Sequence, residues 1–167
     1  MRRIDARESG TSIFEVTVTV AVVASVLAAV LASLVSAQRS QTYVSARASA
    51  LDSLRIAMNV LTKEVRQAVS VDPTSTPSEI IMYTYLTGQS DPQLVRYTAS
   101  AGTLTREEAG IERVVLSRLA STVIFSYTPT PGAAQVVKVD LQVNPLHAPD
   151  TTVRLVSDIR LRNRGRS

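Results

Sequence analysis

The chain contains no cysteine, and that one absence removes disulfides, thiolate metal sites and cysteine nucleophiles together. It also leaves the redox compartment unreadable. Histidine occurs once, at His147, so a histidine-based triad and any multi-histidine metal site are excluded. Neither glycine nor proline is in excess, and charged residues make up only 19% of the chain, a balance that argues against wholesale disorder. The length of 167 residues suits one domain of ordinary size with an appended element. The formal charge of +4 is spread along the chain and names no nucleic-acid partner by itself.

The longest absence is of charge. From Val16 to Gln38 no residue is ionisable, none is proline or glycine, and most are Val, Ala or Leu. As a helix this run measures roughly 35 Å, enough to cross a hydrocarbon core of about 30 Å. Its start, Val16-Thr17-Val18-Thr19-Val20, alternates with period two and would read as a strand in water. In lipid a lone strand leaves its backbone hydrogen bonds unmade, so a transmembrane helix is expected. A polar leader precedes it, Met1 to Gly10, carrying Arg2, Arg3 and Arg7. A single carboxylate, Glu15, follows five residues after that glycine. A charge at a helix centre in the bilayer costs about 2.5–3.5 kcal/mol on insertion scales, less near the interface. The positive end of the helix offsets part of that cost, yet an acid kept there needs a reason.

Two plainer readings compete. A secretory signal would end at Val35-Ser36-Ala37, though the apolar run exceeds the usual length for one and begins beside Glu15. A plain signal anchor would carry its glycine and glutamate incidentally. Counting positive charge does not fix orientation, since Arg39 and Arg47 nearly balance the leader arginines.

Past Gln38, Ala50, Leu54, Met58, Leu61, Val65 and Ala68 recur at steps of four and three, marking one face of an amphipathic helix. Asp52, Arg55, Asn59, Lys63 and Arg66 occupy the other side. The helix is expected to run to about Ser70 and to stop before Asp72-Pro73, because proline disfavours the helical conformation of its predecessor. Asp72 to Ser78 reads as a surface connector. Beyond it, short strands are expected at Ile80-Leu86, Leu94-Ala99, Thr103-Glu107, Val114-Leu119, Val123-Tyr127, Val136-Val143 and Val153-Arg162. Turns are expected at Gly88 to Pro92, Ser100 to Gly102 and Thr128 to Gly132. The expected fold is α+β: a leader over 1–10, a transmembrane helix over 11–37, an amphipathic half over 38–71, and an antiparallel β head over 72–167, one face of whose sheet lies on that half-helix.

The string Glu8-Ser9-Gly10-Thr11-Ser12-Ile13-Phe14-Glu15 resembles the prepilin signal of the type IV pilin superfamily. The resemblance implies cytoplasmic cleavage between Gly10 and Thr11 by a prepilin peptidase, with N-methylation of Thr11 as the new terminus. It also implies that Glu15 meets the amine of a neighbouring subunit; buried opposite charges cost least when they meet. Two departures stand out: Thr11 replaces the usual first Phe, and Ala32 lies where major pilins tend to carry a helix-distorting proline. Both point toward a minor component. Leu54-Arg55-Ile56-Ala57-Met58 with Glu64-Val65-Arg66-Gln67-Ala68 is similar to the helix of W-like minor pilins and J-like pseudopilins. The hairpin Leu94-Val95-Arg96-Tyr97 to Leu104-Thr105-Arg106-Glu107 and the ending Val153 to Arg164 resemble the same group.

The resemblance implies a non-enzymatic subunit without cofactor. Its partners would be other pilins or pseudopilins, the peptidase, an inner-membrane assembly platform and membrane lipid. It would sit in the bacterial cytoplasmic membrane with its leader inside and head outside, then in a filament serving a type IV pilus or type II secretion. The alternative from another class is a single-pass envelope protein whose head binds a ligand and never polymerises. Few side chains hint at further chemistry. His147, between Leu146 and Ala148-Pro149, lacks a second histidine and reads as a solvated side chain. Glu107, Glu108 and Glu112 form the densest acidic patch but lack a calcium-loop spacing. Arg160, Arg162, Arg164 and Arg166 alternate near the C-terminus, which in a strand sets Arg160 and Arg162 on one face and Ile159 and Leu161 on the other. A solvated outer face is the simplest account; phosphates of DNA in an uptake pilus, a lipid surface or an acidic neighbour are sharper ones.

Overall fold

The computed structural model describes residues 12–146 and 151–162. One helix, α1 (Ile13–Gln67), is followed by eight strands: β1 (Ala68–Val71), β2 (Glu79–Thr84), β3 (Gln93–Ser100), β4 (Thr103–Glu108), β5 (Ile111–Ser117), β6 (Phe125–Thr128), β7 (Val136–Val143) and β8 (Val153–Arg160). The chain divides into two compact units after Thr42.

In the first unit every described residue from Ser12 to Thr42 is exposed. This stretch of α1 is long and apolar enough to cross a membrane. The Val-Thr alternation that mimics a strand is helical, and its hydroxyls turn back onto the helix. Thr17 Oγ1 donates to the Ile13 carbonyl at 2.9 Å, Thr19 Oγ1 to Glu15 at 2.8 Å and Ser25 Oγ to Ala21 at 2.7 Å. Such back-bonding pairs these three hydroxyls within an apolar surround.

In the second unit α1 lays its stripe on the sheets. Ala50, Leu54, Ala57, Met58, Leu61 and Val65 are buried, and join one core with Ile80, Met82, Val95, Tyr97, Leu104, Val137, Val139, Leu141 and Ile159. The expected antiparallel strands are present, divided between two sheets rather than gathered in one. The first has the order β1-β2-β3-β4-β5, the second β6-β7-β8. Backbone bonds across their join include Ile124 and Phe125 amides to the Pro77 carbonyl, both at 2.9 Å, and Ala120 to Gln142 at 2.8 Å.

The helix stops three residues earlier than expected, and Ala68–Val71 pairs with β2 instead. Ala68 is buried as a strand residue, and burial is also what the helical stripe expected of it, so its apolar character could not distinguish the two. The connector after it is tightened by Asp72, whose carboxylate accepts from the Thr74 amide at 2.9 Å and hydroxyl at 2.6 Å. Those bonds hold its carboxyl below the usual carboxylate range. Strand β5 begins at Ile111, three residues before the expected Val114, because Ala109 (φ 51°) and Gly110 (φ 79°) close a two-residue hairpin. Strand β6 begins at Phe125 rather than Val123, and β7 keeps its expected bounds.

Candidate functional site

The residues expected to matter from sequence fall at the two ends of the described chain. Glu15 lies in the first turn of α1. Ser12 caps that turn, its Oγ accepting from the Phe14 amide at 3.3 Å, and the Ser12-to-Glu15 spacing is that of a capping box. The sequence reading missed this local role, although the S-x-x-E spacing signals it. Gly10 and Thr11 lie outside the described residues, as do His147, Arg164 and Arg166. Arg160 is exposed on β8 with Ile159 buried beside it, as the alternation requires. Arg162 follows the end of the strand, and its amide donates to the Arg66 carbonyl at 3.1 Å.

The face that carries Arg160 is not uniformly basic. Register sets Asp158 opposite Lys138, and Arg154 opposite Gln142. Arg154 also grips Asp140 through Nε at 2.9 Å and Nη2 at 2.6 Å. These bonds from Arg154 hold the Asp140 carboxyl below its ordinary value. The acidic patch is likewise dispersed. Glu107 and Glu112 face each other across β4 and β5, whereas Glu108 points to the helix side and meets Arg106. The described residues contain no cluster of carboxylates and histidine suited to a metal.

The densest polar cluster was not anticipated. Glu64 enters the core between Leu61 and Val65, 9% exposed. Arg106, brought to the same face by β4, donates Nε to both carboxylate oxygens at 3.1 Å and approaches Oε1 through Nη2 at 2.9 Å. Its Nη1 donates to Glu108 at 2.6 Å. The Tyr97 hydroxyl donates to Glu64 Oε2 at 2.7 Å, and Thr84 Oγ1 donates to the Glu64 carbonyl at 2.7 Å. One helical residue is thereby tied to β2, β3 and β4. Burial tends to lower the Arg106 pKa, but the bonds to Glu64 and Glu108 outweigh it and raise the value. Burial, reinforced by the Glu64 charge, raises Tyr97 well above an ordinary phenol. The signal was present: steps of three and four from Leu61 through Glu64 to Ala68 stay on the apolar face, and period two from Leu104 reaches Arg106.

A cleft of about 360 Å³ opens beside this cluster, walled by Val60 and Leu86 with Lys63, Arg106 and Glu108 at its polar side. Among the described residues, every buried side-chain polar atom has a hydrogen-bond partner. Arg106 is spent on two carboxylates. The arrangement holds the helix on its sheet.

No family model, characterised protein or solved structure matches this chain. The structure itself defines a coarser class. It is an α+β head whose packed helix belongs to a single-helix element with an apolar portion able to span a membrane once.

Proposed function

We propose that the chain is a minor subunit of a pilus-like or secretion filament, processed after Gly10 and assembled through its N-terminal helix. One observation carries the reading. The described N-terminal part of α1 is exposed, predominantly apolar and free of charge from Val16 to Gln38, with Glu15 as the sole charge in its first turn. A monomer in water would not keep such a surface. Lipid first, and the helices of neighbouring subunits later, would cover it. Glu15 then has a purpose beyond capping, since a neighbour's terminal ammonium would neutralise it where water is absent. The head is held on the rear of the same helix by the Glu64 cluster, as a subunit pulled from a membrane by its anchor requires.

N-terminal mass spectrometry tests the processing. In cells with a prepilin peptidase the mature chain should begin at Thr11, and Gly10→Lys should block the cut while the protein still reaches the membrane. An uncut leader in the wild type, or a chain starting at Gln38, would reject the proposal. The first outcome leaves a bitopic protein whose head acts without polymerising.

A further inference from the structure

Strand β5 forms the outer edge of the five-stranded sheet, and it carries two charges that its own fold leaves unanswered. Register sets Arg113 directly opposite Arg106, and Glu112 directly opposite Glu107. Like charges so placed across a ladder oppose the pairing. Neither opposite neighbour is free to relieve the other charge. Arg106 is held by Glu64 and Glu108, and Glu107 lies 3.8 Å from Arg96. Glu108, diagonal to Arg113, is the residue Arg106 holds at 2.6 Å. Among the described residues neither the Glu112 nor the Arg113 side chain has a hydrogen bond or ion pair, although both backbones pair with β4.

Alternation places Arg113 on the helix-side face with Arg106, and Glu112 on the opposite face. The edge therefore presents a cation to one side and an anion to the other. Ile111 and Val114 extend it with apolar side chains 58% and 62% exposed. The strand Ile111–Ser117 contains neither proline nor lysine, so Glu112 and Arg113 are the charges that guard this edge against unselective pairing. Its bulge lies toward the far end, between the Leu104 and Thr105 pairings.

We propose that this edge is a docking surface for an extended segment of a different protein, added as a sixth antiparallel strand. Its sequence would place an acidic residue opposite Arg113 and, next in the chain, a basic residue opposite Glu112. The antiparallel sense follows that of every pairing already in the sheet. Charge complementarity selects a heterologous occupant. A second copy of β5 paired about Arg113 or about Glu112 opposes identical charges. Paired about Val114, it sets Glu112 against Leu116 and Arg113 against Val115. The surface does not depend on the membrane or filament reading.

The full-length chain in detergent micelles, titrated into two fluorescent heptapeptides, tests this. Thr-Val-Thr-Glu-Lys-Val-Thr carries the acid–base order, and Thr-Val-Thr-Lys-Glu-Val-Thr reverses it. Anisotropy should show the first binding about tenfold more tightly, since the reversed peptide sets like charges at both positions. The double variant Glu112→Lys with Arg113→Glu should invert that preference. It should also melt at a higher temperature than wild type, because both like-charge pairs become opposite-charge pairs, so the inversion cannot come from unfolding. Equal binding of the two peptides, no binding of either, or a preference that survives the double variant would overturn the proposal. So would self-association of the wild type that the double variant abolishes, which would make a second copy the occupant.

Discussion

Glu64 occupies a position on α1 where the helical period calls for an apolar side chain, and a carboxylate without partners there would be costly. Its partners turn that cost into a tie across three strands. Removing one of them should therefore hurt more than removing the pair. Arg106→Ala, which strands the buried carboxylate, should destabilise the head by about 3–5 kcal/mol in chemical denaturation. Glu64→Met combined with Arg106→Leu should cost far less, because no charge is left behind. Tyr97→Phe should cost about 1.5–3 kcal/mol at neutral pH through its lost bond to a charged acceptor. Tyr97 also sets an alkaline limit. Its folded pKa is raised above the unfolded value of about 10, so its contribution is complete below that pH and is lost as pH rises above it. Tyr127, raised chiefly by burial, acts in the same sense. Stability should decline above about pH 10, and Tyr97→Phe should flatten that decline without abolishing it. An unchanged alkaline slope would show that the phenol ionises as readily folded as unfolded.

At the scale of elements, the stripe on the rear of α1 was legible because burial of Ala50, Leu54, Met58, Leu61 and Val65 leaves a periodic trace. The alternation of Val136–Val143 was legible for the same reason, with Val137, Val139, Leu141 and Val143 all buried. Strand β1 was not, since four residues after a long helix carry no period of their own. The start of β5 was hidden because Glu112 and Arg113 flank the turn and read as loop, and Ala109 is not a usual turn residue. Division into two sheets was hidden because alternation assigns faces, not neighbours. Glu15 was legible as an anomaly, but its spacing from Ser12 went unread. That spacing dictates how the helix must be tested. Glu15→Gln keeps a capping-box residue and loses the charge, whereas Glu15→Ala loses both. If the charge meets a neighbour's amine, both variants should insert and be cut after Gly10, and both should fall sharply in crosslinking to partner helices. A Glu15→Gln protein that assembles normally while Glu15→Ala does not would assign the residue to capping alone.

The whole molecule places its two demands on different parts of the chain. No described residue before Ala50 is buried, whereas the head's core takes six apolar side chains and Glu64 from α1. Removing the apolar portion thus uncovers nothing in the core, and removing the rear of the helix uncovers one face of the sheet. A fragment from Gln38 to Ser167 should be soluble without detergent and melt in one cooperative transition. A fragment from Asp72 to Ser167 should lose β1 and the helix-side cover of Met82, Val95, Tyr97 and Leu104. It should also leave Arg106 without Glu64, and collapse or aggregate in consequence. Circular dichroism and calorimetry on the two fragments make the comparison. The longer fragment should keep its strand signal and a single heat-absorption peak in both low and high salt. Salt should matter little because Glu64 and Arg106, with side chains 12% and 13% exposed, are poorly screened. If the shorter fragment folded as stably as the longer one, the rear of α1 would be an accessory to the head rather than its missing layer. If the longer fragment melted in two steps, the two sheets would be separate cooperative units, and the single core joining them through Ile124, Phe125 and Leu141 would not transmit stability.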